Sequence, residues 1–334
     1  MKRMNAARRA VIDVGTNSVK LLVADVQGEN ARPVVEESVQ TRLGKNFYET
    51  HRLQPDAIAQ TASAVAHFAG IAREKNSSSI RVIATSAARD AVNPDDLVSA
   101  IEKAADLKVE IISGEQEAEW AFQGATSGSD FAGTPMLLLD VGGGSSEFIV
   151  GHGGHKSFAR SFPLGTVRLM EKFPLADPPT PGEFAKCRDW LVKFMEKEVR
   201  PELEPVLEKE KSSGVVQLAG TGGTSTILAR MKLKSDSYDR ERIEATRLSL
   251  KQVRKQMKNL WSLPLAERRS IPGLPKSRAD VILHGVLIYA CVMEQFGFTE
   301  LRVSTRGLRF AAVMASHPPA AIHLAPLFDV HRLL

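Results

Sequence analysis

The strongest constraint in this chain is a phrase that occurs twice. IDVGTNSVKLLV at residues 12–23 and LLDVGGGSSEFIV at 138–150 each run an apolar stretch into an aspartate, turn through glycine and small polar residues, and become apolar again. At an offset of 127 residues Asp13 matches Asp140, Gly15 matches Gly142 and Ser18 matches Ser145, with Val14/Val141 and Val23/Val150 flanking them. Such self-similarity reads as an internal duplication. A chain of 334 residues also exceeds one ordinary core, so two domains of similar size are expected.

The surrounding pattern is α/β. Apolar runs at 10–14, 19–26, 80–84 and 108–112 predict strands, and residues 56–74 and 94–106 carry apolar side chains at helical spacing. Alternation of this kind implies a sheet covered by helices. The loop TSGSDFAGTP (126–135) is the natural boundary, which gives one domain over 1–125 and a second, more helical one over 126–304. Residues 305–334 are expected to pack back near the interface. The second half adds helical segments at 180–209, 249–260 and 278–294.

Several classes are disfavoured. The apolar run 281–293 is too short and too interrupted to span a bilayer, and the basic start MKRMNAARRA meets Asp13 too soon for a signal peptide. Cys187 and Cys291 cannot make a disulfide framework or a zinc site, so a reducing cytoplasm is expected. A net charge of +5 leans towards an anionic partner, but many proteins are this basic.

The glycine turns lead into strands, and neither carries a GK[ST] or GxGxxG pattern, so they are tight hairpins rather than a P-loop or a dinucleotide fingerprint. Glycines at such a turn leave backbone N–H groups open to a phosphate. The candidates are Asn17 and Ser18 in the first turn, and Gly142, Gly143, Gly144 and Ser145 in the second. Asp13 and Asp140 cannot bind phosphate, but each can hold Mg²⁺ or its waters beside one. A third loop, LAGTGGTSTILA (218–229), runs from a strand into a helix; there Gly222, Gly223 and Thr224 would offer an anion the helix N-terminus. SLKQVRKQMKNL (249–260) separates an apolar face from a basic ridge that includes Lys251 and Lys255, a solvated face or a polyanion track.

These loops, in this order, resemble the actin-like ATPase/sugar-kinase superfamily, and within it the exopolyphosphatase/guanosine pentaphosphate phosphatase family. Besides the three loops, TRLGKN (41–46), ATSAARDAVN (84–93), EIISGEQEAEWAFQG (110–124), FPLGTVRLMEKF (162–173), IPGLPKSRADVILHG (271–285) and STRGLRFAA (304–312) carry the likeness. It implies two actin-like (ribonuclease H-like) domains flanking a central cleft, and Mg²⁺-dependent hydrolysis of a terminal phosphoanhydride, with Mn²⁺ as the alternative ion. The chain stops soon after STRGLRFAA, so the likeness is to the short form. Thr305 and Arg306 stand where the family often has an acidic residue and glycine, and no role of that acid is carried over.

Hydrolysis needs a positioned water and a base. Ser113 and Gln116 form a capping-box pattern, so a helix should start there and carry Glu115, Glu117 and Glu119. Glu117 shares a face with Ala121 and Gly124, whose small side chains would leave room for a ligand. The family motif places its catalytic glutamate at the same position. Glu117 is therefore the expected base, with Asp140, Glu147 and, less directly, Asp13 at the metal. Arg89 is either a phosphate clamp or the ion-pair partner of Asp90. The expected substrate is inorganic polyphosphate. Guanosine pentaphosphate (pppGpp), a non-catalytic sensor and an ATP-dependent kinase are the alternatives. No DNA or membrane partner is expected, and a homodimer is left open.

Overall fold

The computed structural model describes residues 6–315 except 129, 130, 132 and 213. Residues 316–334, most of the expected C-terminal segment, lie outside the described residues.

The duplication is visible as two sheets of the same topology. In the first, β1 (Ala7–Val14), β2 (Ser18–Gln27) and β3 (Asn30–Gln40) form an antiparallel meander. β4 (Ser79–Ala84) and β5 (Val109–Ile111) then add parallel strands on the β1 side, giving the order β3-β2-β1-β4-β5. In the second, β6 (Met136–Val141), β7 (Ser146–His152) and β8 (His155–Phe162) repeat the meander. β9 (Gln217–Thr221) and β11 (Glu300–Val303) are its parallel strands, and β10 (Arg247–Ser249) is an extra antiparallel edge beside β11. The pairings Val14↔Val19 and Val141↔Ser146 are equivalent at the offset of the repeat.

Both faces of the central strands are covered, which is why they read as continuous apolar runs rather than alternating ones. Ile12, Val14 and Leu21 face helices 55–74 and 94–105 through Val65, Phe68, Leu97 and Ile101. Val11, Leu22 and Ile83 face the other way, onto Phe310 and Ala312 of helix 308–314. In the second sheet, Leu137, Leu139 and Phe148 face the helices at 181–194, 222–233, 250–262 and 282–296.

The helix Gly114–Thr126 lies between the sheets. Its Trp120 joins the core of the first, while Ala118, Ala121, Phe122 and Ala125 pack under Leu138, Ile149 and Ala219 of the second. Ser113 starts it: the Ser113 hydroxyl accepts the Gln116 N–H at 3.1 Å, one half of the expected capping box. The expected ligand space beside Gly124 is absent, since a Cβ there would lie 2.0 Å from the carbonyl oxygen of Gly307. Its smallness serves a helix–backbone crossing instead. No helix among the described residues is long and apolar enough to cross a membrane.

Candidate active site

The two glycine turns close on each other. In each, the first glycine N–H donates to the serine carbonyl three residues on, Gly15 to Ser18 and Gly142 to Ser145, both at 3.0 Å. Across the seam, a Cβ on Gly143 would lie 2.9 Å from Cβ of Thr16. One on Gly144 would meet the hydroxyls of Ser86, Tyr48 and Thr16 at 2.4, 2.5 and 2.9 Å. Side chains are excluded here because the opposing loop occupies their space. Gly222, at φ +80°, faces the same restriction from Asp140, whose Oδ1 would be 2.3 Å from its Cβ.

Between the turns is a cavity of about 90 Å³. Asp13, Asn17, Ser18, Glu117, Asp140, Gly142, Gly143, Gly144, Ser145, Glu147, Gly223 and Thr224 all line it. The helix Gly222–Leu233 starts at its wall, so its first N–H groups border the space.

Four carboxylates share this small volume, with unequal support. Glu117 is buried and accepts from Nη1 of Arg89 at 3.0 Å; the same nitrogen donates to the Ile112 carbonyl at 3.0 Å. Burial pushes the Glu117 carboxyl up to about 7; Arg89 opposes the rise, and the charges of Asp13 and Asp140 add to it. Glu147 is raised well above the usual carboxylate range, first by burial and then by Glu117 and Asp140. The hydroxyls of Ser145 and Ser161, which each donate to its Oε1 at 2.8 Å, hold that rise back. Asp140 is also raised, by burial and by Asp13, against Lys20 and Arg309. Asp13 has its Oδ2 3.8 Å from Lys20 Nζ, and its buried Oδ1 has no hydrogen-bond partner.

Buried carboxylates that raise one another's proton affinity are short of positive charge, which a cation would supply. Among the described residues no three His, Cys, Asp or Glu side chains converge to hold one ion directly. The arrangement fits an ion that keeps waters and takes one or two carboxylates plus substrate oxygens, as Mg²⁺ does. Asp140, Glu147 and the orphaned Oδ1 of Asp13 are the groups that could hold it or its waters.

Other expected site residues are placed differently. Arg89 is not an open clamp: Glu117 is its nearer partner, and Asp90 lies 3.9 Å from its Nε. Lys251 and Lys255 do not reach the cavity. They are exposed on helix 250–262, whose Val253, Met257 and Leu260 are buried. Thr305 sits at the seam on Arg240 and Glu244, and the guanidinium of Arg306 lies 5.1 Å over Phe310.

Arg278 lines the cavity and donates to the Ser18 hydroxyl, and sequence reasoning missed it. Burial and nearby Arg42 lower it to about 10 against the pull of Asp280, so it stays cationic at neutral pH. It belongs to a 3₁₀ turn, Lys276–Arg278, after a Pro/Gly-rich loop. There no periodicity could single it out; its only signal was membership of the IPGLPKSRADVILHG motif.

Comparison with known proteins agrees with this geometry. The profile of the Ppx/GppA phosphatase family matches residues 22–317. Exopolyphosphatase 2 of Mycobacterium tuberculosis is 33% identical over 90% of this chain and 96% of its own. The crystal structure of an exopolyphosphatase from Cytophaga hutchinsonii superposes with a TM-score of 0.79 at 27% identity, covering 91% of this chain and 96% of that one. The Aquifex aeolicus Ppx/GppA phosphatase gives 0.70 at 30% identity, covering 92% and 98%. Both neighbours share the actin-like architecture of two sheets about a cleft. An enzyme built on this fold, the chain belongs to the Ppx/GppA phosphatase family.

Proposed function

We propose that this phosphatase is an exopolyphosphatase, which hydrolyses the terminal phosphoanhydride of inorganic polyphosphate with Mg²⁺ and releases orthophosphate. The observation that carries the reading is Glu117: a buried carboxylate, held by one guanidinium, facing a cavity of about 90 Å³ between two glycine turns. That space is enough for a terminal phosphoryl group. The names of the similar proteins point the same way.

The N–H groups of the turns and the hydroxyls of Ser18 and Ser145 would cradle the terminal phosphoryl oxygens, with Arg278 adding positive charge. Glu117 would orient a water for in-line attack and take its proton, which a carboxyl near 7 does well at neutral pH. A bound Mg²⁺ at Asp140 and Glu147, with Asp13 beside it, would supply charge neutralisation for the phosphoryl oxygens.

Phosphate release from long polyphosphate, short polyphosphate, pppGpp and ATP with Mg²⁺, measured side by side, tests the reading. Polyphosphate is expected to be the best substrate. Preference for pppGpp would move the assignment to the nucleotide, and release from none of the four would make the protein a sensor. Glu117→Gln should lower turnover by about 10²–10⁴-fold while substrate still binds; near-normal turnover would remove Glu117 as the base.

A further inference from the structure

Beyond the cavity, an alternating row of charges leads away from Glu117 and crosses the seam. Arg89 holds Glu117 at 3.0 Å, and its Nε lies 3.9 Å from Oδ1 of Asp90. The other oxygen of Asp90 accepts from Nη2 of Arg168 at 3.0 Å. Arg168 belongs to the helix Thr166–Lys172 beside the second sheet, and its Nε donates to the Gly144 carbonyl at 2.9 Å. The Arg168 guanidinium also lies 4.2 Å over the ring of Tyr48, whose backbone N–H donates to Glu171 of the same helix at 3.0 Å. The row therefore runs Glu117, Arg89, Asp90, Arg168, Gly144: from the base to the turn that cradles phosphate.

Arg89 needs such support. It ends a four-residue helix, Ser86–Arg89, that has no side-chain cap. Besides Glu117, its guanidinium is held by the Ile112 carbonyl and by the charge of Asp90. The outer links, Arg89 to Glu117 and Arg168 to Asp90, are charge-assisted hydrogen bonds, and the middle one, Arg89 to Asp90, is an ion pair at 3.9 Å. Neighbouring charges in a partly buried row reinforce one another, so losing one member loosens the next.

We propose that Asp90 and Arg168 are positioning residues for hydrolysis, which tie the second glycine turn to the guanidinium on Glu117. Base and phosphate cradle then come into register together when the loops of the two sheets meet. Neither side chain touches the substrate; each acts through its neighbour. The inference rests on Glu117 being the base, as proposed above. A displacement of about 1 Å at a catalytic group can cost on the order of 10²-fold in rate. Substrate binding should be largely spared. The turn keeps its backbone bonds from Thr166 to the Gly142 carbonyl (3.0 Å) and from Val167 to the Gly143 carbonyl (2.8 Å), whichever side chain is removed.

The test is steady-state phosphate release by Asp90→Asn, Arg168→Gln, the double variant and Arg168→Lys, with melting temperatures for each and Glu117→Gln as reference. Each single variant should lose kcat by about 10–100-fold with KM within about 3-fold. The double should be no slower than the slower single, because both break one row, and Arg168→Lys should recover part of kcat by keeping the charge on Asp90. Wild-type kcat in both singles, losses that multiply in the double, or losses that track a lowered melting temperature and are not relieved by lysine would each overturn the proposal. If Glu117→Gln is inactive while the two singles turn over normally, this inference alone falls. An active Glu117→Gln would sink both it and the assignment of the base.

Discussion

The two glycine turns share one backbone and carry opposite chemistry. At the offset of the repeat, Asp13 corresponds to Asp140, and the residues paired with them across the hairpins are Lys20 and Glu147. The first hairpin thus has a carboxylate with its own cation, 3.8 Å away. The second pairs two carboxylates with each other: Glu147 is raised by burial, Glu117 and Asp140, and Asp140 by burial and Asp13, with Lys20 of the first hairpin holding that rise back. On the proposed function the duplicated scaffold would separate two tasks: the carboxylates of the second hairpin would hold a cation, while the first, with Lys20 and with Arg278 on Ser18, would favour anions.

The largest expected difference follows from that asymmetry. Asp140→Asn or Glu147→Gln should weaken the apparent affinity for Mg²⁺ by about 10–100-fold, as loss of groups orienting a hydrated ion does. Asp13→Asn should cost several-fold less, because Lys20 already meets part of its charge. Titration of activity with Mg²⁺ reads both, and equal losses at Asp13 and Asp140 would erase the distinction between the hairpins.

The turns differ in crowding too. A Cβ on Gly15 would meet only the Ser18 carbonyl oxygen, at 3.3 Å, whereas one on Gly144 would collide with Ser86, Tyr48 and Thr16. Gly144→Ala should therefore destabilise the protein by about 1–3 kcal/mol, as overpacking does. Gly15→Ala should stay below about 1 kcal/mol, since a few tenths of an ångström relieve the contact. Urea unfolding of the two variants compares them directly. A Gly144→Ala protein as stable as wild type would mean that the seam opens readily.

What the sequence could convey depended on where a residue sits. The central strands and the glycine hairpins were legible because burial on both faces leaves long apolar runs and because the phrase repeats. β3 and β8, the outer strands of the two meanders, were not. They are edge strands with mostly exposed or half-exposed positions, and β3 carries Pro33 next to a register shift in its pairing with β2. Among the site residues, those on the repeated turns could be read as a set. Arg278 could not, because only tertiary packing brings its loop to Ser18. Gly124 was read with the right size and the wrong neighbour: its lack of a side chain admits the Gly307 backbone, a contact 183 positions away in the chain that spacing cannot reveal.

Glu117, between the hairpins, links the comparison to stability. Its folded carboxyl titrates near 7, above the 4.5 of a free glutamate. The folded protein thus holds a proton that the unfolded chain has released, and stability falls as pH rises from about 4.5 through 7. Glu117→Gln removes this dependence. Without divalent ions, its melting temperature should match wild type near pH 4 and exceed it by roughly 5 °C at pH 8. A gap that fails to open with pH would show that Glu117 is ionised throughout, with Arg89 outweighing burial.

The smallest expected effect lies among residues that do not line the cavity. Lys251 and Lys255 are exposed on a helix held by buried Val253, Met257 and Leu260, and their neighbour Arg254 is already paired with Glu294 at 2.6 Å. Charges on such a face are screened within about 10 Å at ordinary ionic strength. Lys251→Gln with Lys255→Gln should therefore change KM for long polyphosphate by less than about 2-fold and leave its salt dependence as it is. A flattened salt dependence in that variant, with short chains unaffected, would extend the anionic role of the first hairpin out along the helix. It would make the ridge part of the polymer's path although it does not line the cavity.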